Sequence, residues 1–190
     1  MAQSGILVVL SAPSGSGKTS IAKEILRRNP TLAFSVSATT RARREGEIDG
    51  KDYFFLSREE FERRVQAGAF VEWEEIYGNL YGTLRSEVDA ALQAGRHLLF
   101  DLDVKGALSV KQAYPEALLL FIRPPSIEIL RTRLLNRHTE SAETIERRMA
   151  RVPMELACAD AFDRQVVNDD LGRATDEVHQ SVSQHIQSHS

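Results

Sequence analysis

Ala12-Pro13-Ser14-Gly15-Ser16-Gly17-Lys18-Thr19 follows the apolar run Ile6–Leu10 and precedes a helical pattern that starts at Lys18. A strand, a glycine-rich turn and a helix in that order form a phosphate-binding loop, because successive backbone N–H groups wrap around a polyphosphate. Gly15 and Gly17 permit a close approach that a Cβ would block. Lys18 supplies a point charge to the β and γ phosphates, and the Thr19 hydroxyl is a magnesium ligand. Ala12 stands where the loop pattern has its first glycine, which is tolerable at negative φ. The reading is a site for a nucleoside triphosphate with Mg2+, its loop formed by Ala12 to Thr19.

Around this loop, short apolar runs alternate with helical patterns. Lys18–Arg28 carries Ile21, Ala22, Ile25 and Leu26 on one face and stops at Asn29-Pro30. Strands are expected at Ile6–Leu10, Phe34–Ser37, His97–Asp101, Leu118–Ile122 and Gln165–Val167. Helices are expected through Val110, from Ser126 to about Arg137, and after Val167. Such alternation predicts an α/β fold with a parallel, doubly wound sheet.

Between Thr39 and Leu84 the rhythm changes to short aromatic segments punctuated by glycines, the pattern of a mixed α+β insertion. Within it, Ser57-Arg-Glu-Glu60 has capping-box spacing. A second, arginine-rich insertion runs from about Arg131 to Arg151. The terminal HQSVSQHIQSHS is polar and is expected to fray. The 190 residues suit a single domain, with a core of about 1–37, 96–130 and 155–190, an insertion of about 38–95 and a helical lid of about 131–154.

A net charge of −3 argues against general affinity for nucleic acid or membrane, so anion sites must come from local arginine clusters. The lone Cys158 forms no internal disulfide and suits a reducing compartment. The N-terminal apolar run is too short for a membrane span, and a cytoplasmic location is expected. His185 and His189 have i,i+4 spacing but no third metal ligand nearby, so a solvated tail is the simpler reading. Cys158 reads as a small buried helix residue. A homodimer is the default assembly. At the end of the strand His97–Asp101, Asp101 sits where carboxylates hold magnesium through water.

Past the loop come SVSATTRARREGEIDGKDYFF, EWEEIYGNLYGT, FDLDVKGA, NRHTES, IERRM and VVNDDL, in this order. The set closely resembles the guanylate kinase family, from about Gly5 to Leu171. The resemblance implies a P-loop kinase fold with a nucleotide-monophosphate-binding insertion and a lid. It also implies transfer of the ATP γ-phosphoryl group to GMP, giving ADP and GDP.

Under that resemblance the residues take chemical roles. Guanine presents N1–H and a 2-amino group on one edge, so the Glu72 carboxylate accepts from both, while Ser37 donates to O6 and Thr83 lies near the same edge. Adenine would leave that carboxylate facing an acceptor, a mismatch that discriminates strongly. Arg41 and Arg44 give forked bonds to the acceptor phosphate, with Tyr53 and Tyr81 as neutral donors. Arg133, Arg137 and Arg148 close over the transferring group with Lys18, and Arg133 and Arg137 share a helix face. Asp103 faces the bound GMP, on the same side as Asp101 if the strand continues. Asn168 matches the position beside adenine, and Asp169 and Asp170 cap the last helix. Arg131 and Arg151 read as charged helix surface.

The chain departs from the family at His138, usually glycine, at Arg43, usually proline, and at Leu84, a common proline. None of these removes a group the chemistry needs. Two other classes compete. Asp103-Val-Lys-Gly106 fits the DxxG switch of regulatory GTPases, but the guanine-reading NKxD signature is absent. Catalytically dead scaffolds typically lose the phosphate loop, whereas Lys18, Thr19, Arg41 and Arg137 are present.

Overall fold

The computed structural model describes residues 5–76, 78–136 and 141–189. The chain opens with β1 (Leu7–Ser11), α1 (Lys18–Arg28), β2 (Leu32–Phe34), β3 (Ala38–Thr39) and β4 (Phe54–Phe55). It continues through α2 (Arg58–Gln66), β5 (Phe70–Ile76), β6 (Asn79–Leu84), α3 (Arg85–Gln93), β7 (His97–Asp101) and α4 (Val104–Ala113). The last part is β8 (Leu118–Arg123), α5 (Ile127–Leu135), α6 (Ala142–Ala157), β9 (Arg164–Val167) and α7 (Leu171–Ser188).

Two sheets result. The larger has order β2-β7-β1-β8-β9, and every pairing in it is parallel. Its central strands are apolar on both faces because helices cover both. Val8, Leu10 and Leu120 pack with Ile21 and Ile25 of α1 and Val178 and Val182 of α7. Val9, Phe100, Leu119 and Phe121 point the other way, against Val104 and Val110 of α4. The smaller sheet has order β4-β3-β6-β5 and is mixed, with β3 parallel to β4 and antiparallel to β6. Its own core joins Ala38, Phe61, Phe70, Leu80 and Leu84, with the Phe61 and Phe70 rings stacked at 4.3 Å. The α/β fold, a parallel sheet carrying a mixed-sheet unit, is the one expected.

Several local expectations are corrected. The second strand ends at Phe34 rather than Ser37. Ser35 N–H still bonds Leu99 O at 2.9 Å, and the chain then crosses to the smaller sheet, so one apolar-looking run serves two sheets. Helix α3 was not anticipated; its short pattern buries only Val88 and Ala91. The polar C-terminal stretch does not fray before Ser188, because α7 buries Ser181 and Val182, and His185 Nε2 lies 3.0 Å from Glu116 O. Cys158 caps the C-terminus of α6 and is half-buried. By contrast, the Ser57 cap forms as expected, accepting from Glu60 N–H at 3.1 Å.

Candidate active site

The phosphate loop leaves β1 at Ser11 and ends at Gly17, the residue that precedes α1. Gly17 has φ 90° and gives α1 no side-chain cap, so the first N–H groups of the helix stay open to an anion. Its missing Cβ has a specific reason. A Cβ there would lie 2.3 Å from Asn168 Nδ2, which donates to Ser16 O at 2.7 Å. Asn168 therefore braces the loop from the end of β9, and Arg133 of α5 donates to its backbone oxygen at 3.0 Å. Ala12, at the unusual first position, is buried in the core cluster beside α1, which accounts for a methyl group there.

Lys18 reaches across to the end of β7, 2.5 Å from Asp101 Oδ1 and 2.9 Å from Leu102 O. Thr19 is exposed beside it. Among the described residues, the buried Ser16 Oγ and Asn168 Oδ1 have no hydrogen-bond partner. Gly15, Gly17, Arg133, Asn136, Asn168 and Leu171 line a hollow of ≈340 Å³ on this side.

On the other side of Lys18 lies a cavity of ≈410 Å³ whose lining includes Ser37, Tyr53, Glu72, Tyr81, Asp101 and Asp103. Pairing of β5 with β6 sets Glu72 opposite Thr83, whose hydroxyl donates to Glu72 Oε1 at 2.6 Å. Burial pushes the Glu72 carboxyl up to about 7; the Thr83 bond opposes this and the nearby Glu74 and Asp103 charges add to it. Gly106 of α4 packs so close that a Cβ would stand 3.2 Å from Glu72 Oε2. Tyr53 and Tyr81 meet edge to face at 6.1 Å.

Arg41 lies over the Tyr53 ring at 5.3 Å and forks onto Glu47 at 2.7 and 3.1 Å. Glu47 also accepts from Arg44 N–H at 2.7 Å, which folds the arginine loop on itself. The Arg44 side chain is exposed.

Residues from the arginine-rich stretch approach the loop. Arg148 of α6 donates to the Ser14 hydroxyl, and Arg131 pairs with Glu146 on the outside. The expected Arg137, and His138 beside it, lie outside the described residues. Asp103 lines the ≈410 Å³ cavity, though not on a continued strand. Strand β7 stops at Asp101, and Asp103 instead caps α4, accepting from Gly106 N–H at 2.8 Å. Arg151 is exposed on the helix surface as expected, and its guanidinium also reaches 3.3 Å to Asp103 Oδ2. The sequence pattern did not single out the contacts made by Glu47 and Arg151. Only the spacing of Arg148 and Arg151, one turn apart on a helix, carried a signal for the latter.

A phosphate loop at the carboxyl ends of a parallel sheet, faced by a second polar cavity, defines a P-loop α/β nucleotide-binding protein. A family model described as guanylate kinase matches residues 4–185, and the chain belongs to that family. It is 54% identical over 175 residues to the guanylate kinase of Chlorobaculum tepidum, covering 92% of this chain and 90% of that relative. The guanylate kinase of Rubrobacter xylanophilus is 48% identical over 174 residues, with 92% and 91% covered. The crystal structure of guanylate kinase from Anaplasma phagocytophilum superposes with a TM-score of 0.71 at 32% identity, covering 96% of this chain and 87% of that one.

Proposed function

We infer that this chain is an enzyme that transfers the γ-phosphoryl group of ATP to GMP, giving ADP and GDP. The observation that carries the acceptor is the Glu72–Thr83 pair in a cavity next to the Lys18 loop. Ionised Glu72 accepts from guanine N1–H and the 2-amino group, and Ser37 donates to O6. An adenine ring offers an acceptor where guanine has N1–H, which leaves the carboxylate without a partner.

ATP phosphates accept from open backbone N–H groups of the loop Ala12 to Thr19, of which Pro13 has none, with Asn168 on the base side. Lys18 exchanges Asp101 for the β and γ phosphates. Arg41 and Arg44, with Tyr53 and Tyr81, hold the GMP phosphate; Arg41 releases Glu47 to do so. An oxygen of that phosphate, already deprotonated at neutral pH, attacks the γ phosphorus as the bond to the β–γ bridging oxygen breaks. No general base is required, and positioning with charge neutralisation does the catalysis. Arg133, Arg137 and Arg148, from the lid of about residues 131–154, supply the positive charge that closes over the transferring group.

Thr19 and Asp101 offer a hydroxyl and a carboxylate, the hard oxygen donors that magnesium prefers while keeping several waters. When bound, Mg2+ neutralises charge on the donor phosphates. No described helix is long and apolar enough to cross a membrane. A cytoplasmic location suits the nucleotide substrates and the lone cysteine, and sedimentation would test the homodimer.

A coupled assay of ADP formation from ATP with GMP, AMP, CMP, UMP and IMP tests the reading. GMP should be the preferred acceptor. No ADP formation with GMP, from well-folded protein, would overturn it.

A further inference from the structure

Between the phosphate loop and the carboxylate-lined cavity lies a smaller hollow of ≈230 Å³, lined among others by Lys18, Glu74, Asp103, Arg148, Arg151 and Glu155. Three carboxylates here share their space with three cations. Burial pushes the Glu155 carboxyl up, and Arg151 offsets part of that rise. The same guanidinium lies 3.6 Å from Glu155 Oε1 on its own helix. Its other reach is 3.3 Å, to Asp103 Oδ2 on α4. Asp103 is fixed in place because its second oxygen caps α4 through Gly106 N–H.

Helix α6 is therefore tied to the rest of the molecule at separate points along one face. Arg148 binds the phosphate loop at Ser14, and Arg151, one turn on, binds the wall of the acceptor cavity at Asp103. A helix anchored at both places cannot swing without breaking one of them. We propose that Arg151 is a positioning residue whose ion pair with Asp103 docks α6 on the acceptor side before nucleotides bind, holding Arg148 over the phosphate loop.

The role rests on the proposed phosphoryl transfer, and it deepens that reading: residue 151 acts on rate through α6 rather than by touching the transferred group. Pairs as exposed as this one, with Arg151 53% and Asp103 22% accessible, have modest strength. The expected effect is accordingly a fall of about two- to fivefold in kcat, with the KM for ATP little changed.

The test is a cycle of Arg151→Met, Asp103→Asn and the double variant, since Asn keeps the acceptor for the α4 cap and loses the charge. It is joined to a distance measurement in nucleotide-free protein. Spin labels on Gln112→Cys of α4 and Met154→Cys of α6, in a Cys158→Ser background, report the α4–α6 distance distribution. The proposal expects non-additive losses in the cycle, a narrow distribution in the parent, a broadened one with Arg151→Met, and a narrow one retained with Arg151→Lys. Additive losses, an unchanged distribution with Arg151→Met, or a Lys variant that behaves like Met would each overturn it. The distances need no turnover, so a parent protein inactive on GMP would count against the proposed reaction while the distributions still decided whether Arg151 docks α6.

Discussion

The phosphate loop and the carboxylate-lined cavity lie on either side of Lys18, yet they are built from different materials. The loop is mostly backbone: open N–H groups, two glycines at φ near 90°, and one asparagine holding the curve from behind. The cavity is mostly side chain, gathered from the smaller sheet and its flanks, the end of β7 and the start of α4. A backbone cradle is selective for charge and shape, and it tolerates Ala12 because that methyl group faces the core. A side-chain cradle selects chemistry, and it does so at a cost. Glu72 is held in a place that disfavours its charged form.

Removing Lys18, the cation that ends the loop and reaches Asp101 at the cavity, should have the largest effect. Lys18→Met is expected to lower kcat by about 10²–10³-fold, on the scale of deleting one transition-state donor, with the fold retained by circular dichroism. A folded variant with near-normal turnover would break the comparison at its centre.

Gly17→Ala tests the backbone side. The methyl group would collide with Asn168 Nδ2 in a left-handed conformation, costing about 1–3 kcal/mol in strain alone. ATP binding should fall sharply in calorimetry while GMP binding holds; equal losses would mean that the two regions are not independent.

Glu72→Gln tests the side-chain side. Loss of a charged acceptor is expected to weaken GMP by about 1.5–3 kcal/mol, roughly ten- to hundredfold, and to leave ATP unchanged. The pH dependence separates binding from stability. Because the folded value, about 7, lies above the ordinary 4.5, the folded chain holds the Glu72 proton more firmly than the unfolded chain. Stability contributed by this group is therefore lost as pH rises through that window. GMP affinity runs the other way, rising with pH toward 7 as the carboxylate ionises. In the Gln variant both components should vanish, and Tm at pH 8 should exceed the parent's. A parent and variant with parallel pH profiles would remove Glu72 from the account.

The smallest effect is expected at Arg131→Ala. Its pair with Glu146 is half-exposed and reaches neither region, so turnover should stay within about a factor of two. A large loss would extend the active machinery to the outer face of α5.

Much of this is legible in the sequence alone. The loop, its helix and β7 fall where their patterns put them, because strand–turn–helix geometry and apolar periodicity are local properties. Glu72 and Thr83 could be named from the motif, but their bond could not. It depends on the β5–β6 register, which shifts between Phe70 and Glu72. Arg151 and Glu47 had no comparable signal, since an arginine on a charged helix and a glutamate in a charged loop look alike whether they face water or each other. The cap that Asp103 forms on α4 was not legible either, since it depends on the helix that starts at Val104, although the carboxylate still lines the cavity.

By itself the sequence determined that Ala12–Thr19 is a glycine-rich turn between a strand and a helix and that alternating strands and helices bury a parallel sheet, because backbone conformation and hydrophobic period are written residue by residue. Only the tertiary structure decided which charges meet: Lys18 with Asp101, Arg41 with Glu47, Arg151 with Asp103. Partners far apart in the chain, or folded together within a loop, are chosen by packing and burial, which no linear spacing records.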